Sequence, residues 1–148
     1  MRTKYDPIGR LLKKANNQIS REFDKFAAKF ELTGQQMLII DFLYNNNTQD
    51  IIQNQVEYEF NIRRSATTAI LQRMEKNGLI DRCQGSKDAR QKVLKLTEKA
   101  IKLVSDIKAF IQHHDDSILS GLTEDEAVLI QSFLTGIINH QGGNEKNE

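Results

Sequence analysis

The chain has 148 residues, one cysteine and a formal net charge of +1. This length fits a single domain, with or without an extension, and is enough to bury a core without disulfides or bound metal. The lone cysteine excludes an internal disulfide and favours a reducing compartment. No apolar stretch approaches the roughly 20 residues that span a bilayer, and the first residues lack the apolar run of a signal peptide. We therefore expect a cytoplasmic protein with no membrane partner.

The charged residues are unevenly distributed along the chain. Residues 62–95 contain nine basic and three acidic side chains, a net charge of +6, so the remainder carries −5. A basic segment within an acidic body indicates a local anionic partner, and the phosphate backbone of nucleic acid is the commonest such partner. A solvated charged surface without a partner is the alternative, and the charge count alone leaves both open.

The first predicted helix covers residues 8–30, where apolar residues recur every three or four positions. Asp6 is predicted to be its N-cap, because its side-chain oxygen can accept from an amide of the first turn. Pro7 then takes the first helical position, where the missing amide proton costs nothing.

Two further helices follow in the first half of the chain. Thr33 and Gln36 have the spacing of a capping box, which predicts a second helix that runs to about Tyr44. The run of short amide side chains in residues 45–48 favours a turn after it. A third, shorter helix is predicted over residues 52–60.

The middle of the chain changes from a helical to an alternating pattern. Asn61 is predicted to end the third helix and to cap a fourth, which ends before Gly78, a residue suited to the left-handed conformation past a C-terminus. In residues 79–84 and 92–96, apolar and polar side chains alternate, which predicts two short strands joined by the polar loop 85–90. This pattern predicts a β-hairpin with a basic tip.

Two long apolar stripes occupy the last third. A helix is predicted from Thr97 to Ile118, and a second capping box at Thr123 and Glu126 begins another that runs to about residue 140. The preceding helices and hairpin are too small to bury both stripes, so the stripes need a further partner. Residues 141–148 contain no hydrophobic side chain and are predicted to be disordered. The fold class expected is mainly α with a small β-hairpin.

Helix, turn, helix and hairpin in this order is the plan of a winged helix-turn-helix, in which the hairpin is the wing. The second helix of this unit begins with polar and basic side chains, which enter the major groove in such proteins. The DNA contacts predicted on it are Arg63, Arg64, Ser65, Thr67 and Thr68. The arginines can pair with guanine or only bind phosphate, and the sequence does not separate these roles.

Three residues of the hairpin tip complete the predicted DNA-binding set: Lys87, Asp88 and Arg90. A basic tip can follow the duplex and place an arginine in a narrow minor groove, where the negative potential is enhanced. Asp88 would be repelled by phosphates, so we interpret it as orienting the guanidinium of Arg90. An ordinary amphipathic helix beside a solvated hairpin is the alternative interpretation.

Three short motifs around the wing resemble the MarR (multiple antibiotic resistance regulator) family. They are Gly-Leu-Ile-Asp-Arg at 78–82, Asp-Ala-Arg at 88–90 and Leu-Lys-Leu-Thr-Glu-Lys at 94–99. The Asp-x-Arg wing followed by Leu-Thr is the specific part, and Leu-Thr at 32–33 extends the similarity more loosely. Ala100 departs from the glycine usual in the family, but alanine continues a helix well.

The resemblance implies a transcriptional regulator, most simply a repressor, that binds an inverted-repeat operator in double-stranded DNA as a homodimer. It places Arg64, Ser65 and Thr68 at recognition-helix contacts and Arg90 at the wing arginine. Its implied domains are a DNA-binding winged helix at 33–97, dimerisation helices at 1–32 and 98–140, and the disordered tail at 141–148.

Family members commonly release DNA when a small aromatic or phenolic effector enters a crevice beside the winged helix. Side chains that could line such a crevice here are Phe23, Phe26, Phe30, Met37 and Phe42. Apolar residues at helical spacing are more often plain core, and that alternative is favoured.

The remaining reactive side chains favour structural roles. Cys83 lies on a wing strand, where a structural thiol is favoured over a redox sensor. His113 and His114 are adjacent, so on a helix they point about 100° apart, and no metal site is predicted from them. The sequence has no glycine-rich phosphate loop and no nucleophile motif, so neither an enzyme nor a cofactor is expected.

The second functional hypothesis is a dimeric interaction module whose winged helix binds protein. The winged-helix architecture by itself permits this function. Salt dependence distinguishes the two hypotheses, because neutralising phosphates makes affinity fall steeply with ionic strength, whereas a protein-binding face dominated by apolar burial depends on it weakly.

Overall fold

A computed structural model describes the backbone of residues 6–144 and the side chains of residues 6–139. The elements in chain order are α1 (Ile8–Ala27), a 3-10 turn (Ala28–Phe30), α2 (Gly34–Asn45), α3 (Gln53–Phe60), α4 (Arg64–Lys76), β1 (Ile80–Gln84), β2 (Lys92–Leu96), α5 (Glu98–Ile101), α6 (Val104–Leu119) and α7 (Glu124–Asn144). This arrangement confirms the mainly α fold with a two-stranded hairpin. Within the described part, no helix is both long and apolar enough to cross a membrane.

The chain divides into two compact units, with the boundary between Phe110 and Ile111, inside α6. The core of the first unit is formed by side chains with no solvent exposure from α2, α4 and α6, among them Met37, Ile40, Leu71, Met74 and Ile107. Each such side chain contributes about 1.5–3 kcal/mol by leaving water. The core therefore packs α4 against α2 and α6.

Two helix starts have the capping boxes that the sequence predicts. The Thr33 hydroxyl accepts from the Gln36 amide at 3.1 Å, and the Gln36 side chain accepts from the Thr33 amide at 3.1 Å. Thr123 and Glu126 make the same reciprocal pair at 3.1 and 2.9 Å. The bonds from Thr123 hold the pKa of the Glu126 carboxyl below its ordinary value. Both starts are thus determined by side chains three residues apart.

Two predicted caps are wrong. α1 begins at Ile8 with Pro7 as its N-cap residue, and the Asp6 carboxylate accepts from Arg10 at 3.4 Å instead of capping the helix. Asn61 does end α3 in the left-handed conformation, with φ 50°, but the N-cap residue of α4 is Arg63. In each case the expected cap lies outside the N-cap position, from which a side chain reaches the first-turn amides.

Helix ends also differ from the prediction. The helix expected from Thr97 to Ile118 is divided into α5 and α6, because the Leu103 amide donates to the Ala100 carbonyl, three residues back, at 3.0 Å. At the other end, α7 continues to Asn144 and overlaps the first half of the predicted disordered tail; helical backbone bonding needs no apolar side chain. Residues 145–148 lie outside the described residues.

α1 and α2 meet at a glycine. The Gly34 amide donates to Asp24 Oδ1 at 2.7 Å. A Cβ atom at position 34 would lie 2.8 Å from the Phe23 Cβ and 3.0 Å from the same carboxylate oxygen. Only glycine permits this approach, so the first helix is held against the start of α2 by backbone contact.

We expect Gly34→Ala to destabilise the protein by about 1–3 kcal/mol, because α1 must shift to admit the methyl group. Urea unfolding followed by circular dichroism measures the change. Gly9→Ala is the matched control, since no described residue beyond its own helical turn lies within 4 Å of a Cβ there. It should change stability by no more than about 1 kcal/mol, toward the more stable side. Equal free energies of unfolding for the two variants would show that α1 can shift with little loss of stability.

Candidate nucleic-acid interface

α4 has one buried and one exposed side. Thr67, Leu71 and Met74, spaced by four and three residues, have no solvent exposure and pack into the core. The opposite side presents polar, basic and small residues to solvent: Arg64, Ser65, Ala66, Ala69, Gln72, Arg73 and Lys76. The packing of the first side therefore decides which residues a partner of α4 meets.

The predicted contacts on this helix fall on different sides. Arg63, Arg64 and Ser65 are exposed at its N-terminus, and Thr68 is half-buried. Thr67 is fully buried, and its hydroxyl donates to the Arg63 carbonyl at 2.9 Å. The expectation that Thr67 contacts DNA is therefore wrong, because position 67 lies on the core side of the helix.

Ala66 and Ala69 are also exposed on α4. Their methyl groups lie among the polar side chains of α4. In the major groove, an exposed methyl group is a partner for the thymine C5-methyl. The sequence pattern does not predict this exposure, because alanine is common on both sides of a helix.

Gln53, in the first turn of α3, connects the two helices and was not among the predicted residues. Its Nε2 donates to the Thr68 hydroxyl at 2.8 Å and lies 3.4 Å from the Arg64 carbonyl oxygen. The first of these partners is 15 residues away in sequence. No local sequence pattern predicts a contact between residues so far apart, so only the packing of α3 against α4 reveals it.

The hairpin is attached to the body at its second strand. β1 and β2 pair antiparallel, from Ile80 opposite Leu96 to Gln84 opposite Lys92. The Leu94 amide donates to the Ile51 carbonyl at 2.8 Å. The next residue, Ile52, forms an isolated β-bridge with Val93 of β2. The segment before α3 thus holds β2 in place.

Asp50 holds the wing loop and was also not predicted. Its carboxylate accepts from the Ser86 amide at 2.8 Å and from the Ser86 hydroxyl at 2.5 Å, and Lys95 Nζ lies 3.9 Å away. These hydrogen bonds, the hydroxyl first, lower the pKa of the Asp50 carboxyl, and the charges of Lys95 and Lys87 act in the same direction. The carboxylate therefore stays ionised and bound to the loop at neutral pH.

Asp88 orders the wing tip by a different route from the one predicted. Its Oδ1 accepts from the backbone amide of Arg90 at 2.9 Å, so it stabilises the turn and not the guanidinium. The side chains of Lys87 and Arg90 are exposed on either side of it. Asp88 is thus placed as a structural residue of the tip.

Most of the basic residues in the segment 62–95 face solvent without an acidic partner. Arg82 pairs with Glu75 at 2.8 Å, and Lys95 lies close to Asp50. Within residues 6–139, no ion pair engages the other seven, all of which are exposed: Arg63, Arg64, Arg73, Lys76, Lys87, Arg90 and Lys92. α4 and the wing therefore carry an unneutralised basic surface.

The residues proposed to line an effector crevice are distributed over several contacts. Met37 is fully buried core. Phe26 stacks on Phe110 with ring centroids 4.1 Å apart, and Phe42 packs edge-on against Phe60 at 5.8 Å. Most of this set therefore serves packing, which was the favoured alternative.

A cavity does lie between α1 and α2, with a volume of about 280 Å³. Its lining includes Ile19, Ser20, Phe23, Gln35 and Leu38. Among the described residues, the buried Gln35 Nε2 has no hydrogen-bond partner. A buried amide without an acceptor costs about 1–3 kcal/mol.

The other candidates have no site around them. Cys83 is exposed on β1 opposite Val93. His113 is exposed on α6, and the neighbouring Asp116 accepts from Gln112 at 3.0 Å. Across the described part of the chain, no group of three His, Cys, Asp or Glu side chains is placed to hold a metal ion.

We expect Asp50→Ala to release the wing loop, since both bonds to Ser86 are lost. NMR order parameters of residues 85–90 should fall to the flexible range, below about 0.6. In the wild type, the hydrogen bonds to Ser86 are fully present above pH 3.8, the ordinary pKa of the Asp50 carboxyl. They are lost as the pH falls through the lower pKa that this carboxyl has in the folded protein. Asp81→Ala, an exposed change on the same hairpin, is the control. An unchanged loop in Asp50→Ala would show that the strands alone order it.

Comparison with known proteins agrees with this geometry. Residues 30–91 match the model of the MarR family. The HTH-type transcriptional regulator FarR of Neisseria gonorrhoeae is 30% identical over 132 residues, which are 89% of each chain. The transcription regulator MarR from Oenococcus oeni PSU-1 is 44% identical, with a TM-score of 0.83 over 90% of this chain and 99% of that chain. The S. aureus MepR–DNA complex shares the fold at 21% identity, with a TM-score of 0.84 over 91% and 96% of the two chains. These relatives are regulators and not enzymes, as the sequence predicted, and the chain belongs to the MarR family of transcriptional regulators.

Proposed function

We propose that this regulator binds a specific operator in duplex DNA as a homodimer and represses transcription by occupying the promoter. The exposed basic surface of α4 and the wing carries the proposal, because seven of its cations form no salt bridge within the described chain. MepR, which has the same fold, is known as a DNA complex. Repression is the simplest outcome, since occlusion needs no contact with polymerase. A regulator of this kind acts on the chromosome, in the cytoplasm.

The recognition helix in this proposal is α4. Its N-terminal residues enter the major groove, with Arg63, Arg64, Ser65 and Thr68 as the contacts. An arginine there pairs with guanine or with phosphate, and the exposed alanine methyls beside it suit thymine. Thr67 is excluded by its burial.

The wing supplies the second contact. Lys87 and Arg90 are exposed at its tip, and Asp88 sets the backbone turn between them. A narrow minor groove attracts such an arginine through its enhanced negative potential. Asp50 supports this contact by holding Ser86, so the loop is ordered before DNA arrives.

The homodimer is supported by apolar side chains that a single chain leaves in water. In α7 they are between 38% and 69% exposed: Val128, Leu129, Ile130, Phe133, Leu134, Ile137 and Ile138. Ile8 and Leu11 of α1 are exposed as well. Exposed apolar side chains that recur along one helix mark an interface. We assign residues 1–32 and 98–140 to dimerisation and 33–97 to DNA binding, with half-sites roughly 34–36 Å apart.

The proposed effector site is the cavity between α1 and α2. At about 280 Å³ it is near the lower limit for small-molecule sites. Its lining includes the Gln35 side-chain amide and Phe23, which suit a polar group and an aromatic ring on the ligand. A small phenol or aromatic carboxylate combines both features.

A protein-binding winged helix is the alternative function. It would use the same α4 surface, but neutralising phosphates releases counterions, whereas apolar burial against a protein does not. The alternative therefore predicts an affinity that depends weakly on ionic strength.

The decisive measurement is fluorescence-anisotropy titration of duplex from the gene's own upstream region, beside a shuffled duplex, at several salt concentrations. We expect tight binding that prefers the native sequence and weakens steeply with salt. Arg90→Ala should weaken binding to all duplexes alike and reduce the slope of log K against log salt by about 0.9. Arg64→Ala should cost about 1–3 kcal/mol on the specific site alone if it pairs with guanine. Weak, salt-insensitive binding to both duplexes would favour the protein-binding module.

We expect Phe133→Glu to shift the protein from dimer to monomer, because it buries a charge in the proposed interface. Sedimentation velocity gives the oligomeric state, and DNA affinity should fall with it. Ser132→Glu places the same charge one residue earlier, outside the apolar set, and should leave the dimer intact. A Phe133→Glu protein that remains dimeric would exclude this face of α7 from the interface.

A further inference from the structure

A cleft of about 350 Å³ lies between the start of α4 and the hairpin. Three basic residues line it: Arg64 from α4, Arg82 from β1 and Lys92 from β2. Arg82 is opposite Leu94, two residues from Lys92, so Arg82 and Lys92 lie on the same face of the hairpin. Glu57 is the acidic residue of the lining. The lining therefore carries a net positive charge.

Two of these three cations are free of an ion pair. Arg82 Nε donates to Glu75 Oε2 at 2.8 Å, and Glu75 does not line the cleft. Among residues 6–139, no salt bridge engages Arg64 or Lys92, and both side chains are exposed. Cations that line one cleft repel one another, and the cleft concentrates their potential on an anion that enters it. Arg64 on the helix and Lys92 on the hairpin therefore favour one shared anionic ligand.

The position of the cleft indicates which anion it meets. In the proposed function, α4 lies in the major groove and the wing follows a neighbouring minor groove. Two neighbouring grooves of a duplex are separated by one sugar-phosphate strand, so this strand must cross the protein between α4 and the wing. The cleft lies between the same two elements. Its lining also includes the exposed side-chain amides of Asn54 and Gln91, which are further donors for phosphate oxygens.

We propose that this cleft binds a backbone phosphate of the strand between the two grooves, and that Arg64 and Lys92 contact this phosphate together. The inference rests on the proposed function. It assigns Arg64 to phosphate and not to guanine. It also adds Lys92, which lies outside the contacts predicted from the sequence. Such a contact fixes the register of the helix and the wing on the duplex and carries no base information.

The test uses operator duplexes in which one phosphate of a half-site at a time is replaced by a neutral methylphosphonate. Fluorescence anisotropy gives the affinity of the full-length protein for each duplex. Replacing the phosphate in the cleft should weaken binding of the wild type by about tenfold, the effect of losing a hydrogen bond between charged groups. The same replacement should have a smaller effect in Arg64→Ala and in Lys92→Ala, and no effect in the double variant, which has lost both cations.

Arg73→Ala is the matched control, because Arg73 is an exposed cation of α4 that does not line the cleft. It should retain the full effect of the methylphosphonate at this position. Replacing each guanine of the operator in turn should reduce affinity by the same factor in Arg64→Ala and in the wild type, since Arg64 reads no base in this arrangement. Thermal unfolding shows whether the variants, all of exposed residues, remain folded.

The outcomes separate this inference from the proposed function. One phosphate whose replacement matters less in both single variants, and not at all in the double variant, supports the shared contact. Two different phosphates for the two variants, or a guanine preference that Arg64→Ala removes, overturn the inference in a protein that still binds its operator specifically. A wild type that is insensitive to every methylphosphonate and to salt overturns the proposed function as well.

Discussion

The packing of one side of α4 into the core is the constraint on which the functional surface depends. Thr67, Leu71 and Met74 are withdrawn from solvent completely, and this sets the rotation of the helix about its axis. Arg64 and Ser65 then face outward. A rotation by one residue, about 100°, would exchange buried and exposed side chains and remove the basic surface. Core packing thus determines DNA recognition in the proposed function, although no core residue touches DNA.

Around this helix, polar contacts of long sequence separation order the side chains that meet a partner. Gln53 connects α3 to α4, and Asp50 connects the segment before α3 to the wing loop. Both residues come from the same short stretch of chain. The helix and the wing are therefore positioned from one place, which in the proposed function lets both contact one duplex at the same time. Ordering these contacts beforehand reduces the entropy that binding must overcome.

The basic residues of the segment 62–95 fall into two groups. Of the basic residues in the middle segment, Arg82 and Lys95 have carboxylate neighbours, Glu75 and Asp50, and serve the structure of the hairpin. The others remain solvated and available to phosphate. The net charge of +1 conceals this surface, since acidic residues elsewhere in the chain offset it. A local surface of one sign, and not the total charge, steers a polyanion.

Most elements of the fold, and the family, could be predicted from the amino-acid sequence, because both depend on local patterns. Capping pairs three residues apart, the glycine at position 78 and the Asp-x-Arg motif of the wing each act over a few residues. The burial of Thr67 and the partial exposure of Thr68 depend on how the helices pack, since both residues fit the same helical pattern. The tertiary structure also decided the partners of Gln53 and Asp50, which lie 15 and 36 residues away. Such contacts arise when helices pack, and local periodicity carries no information about which side chains then meet.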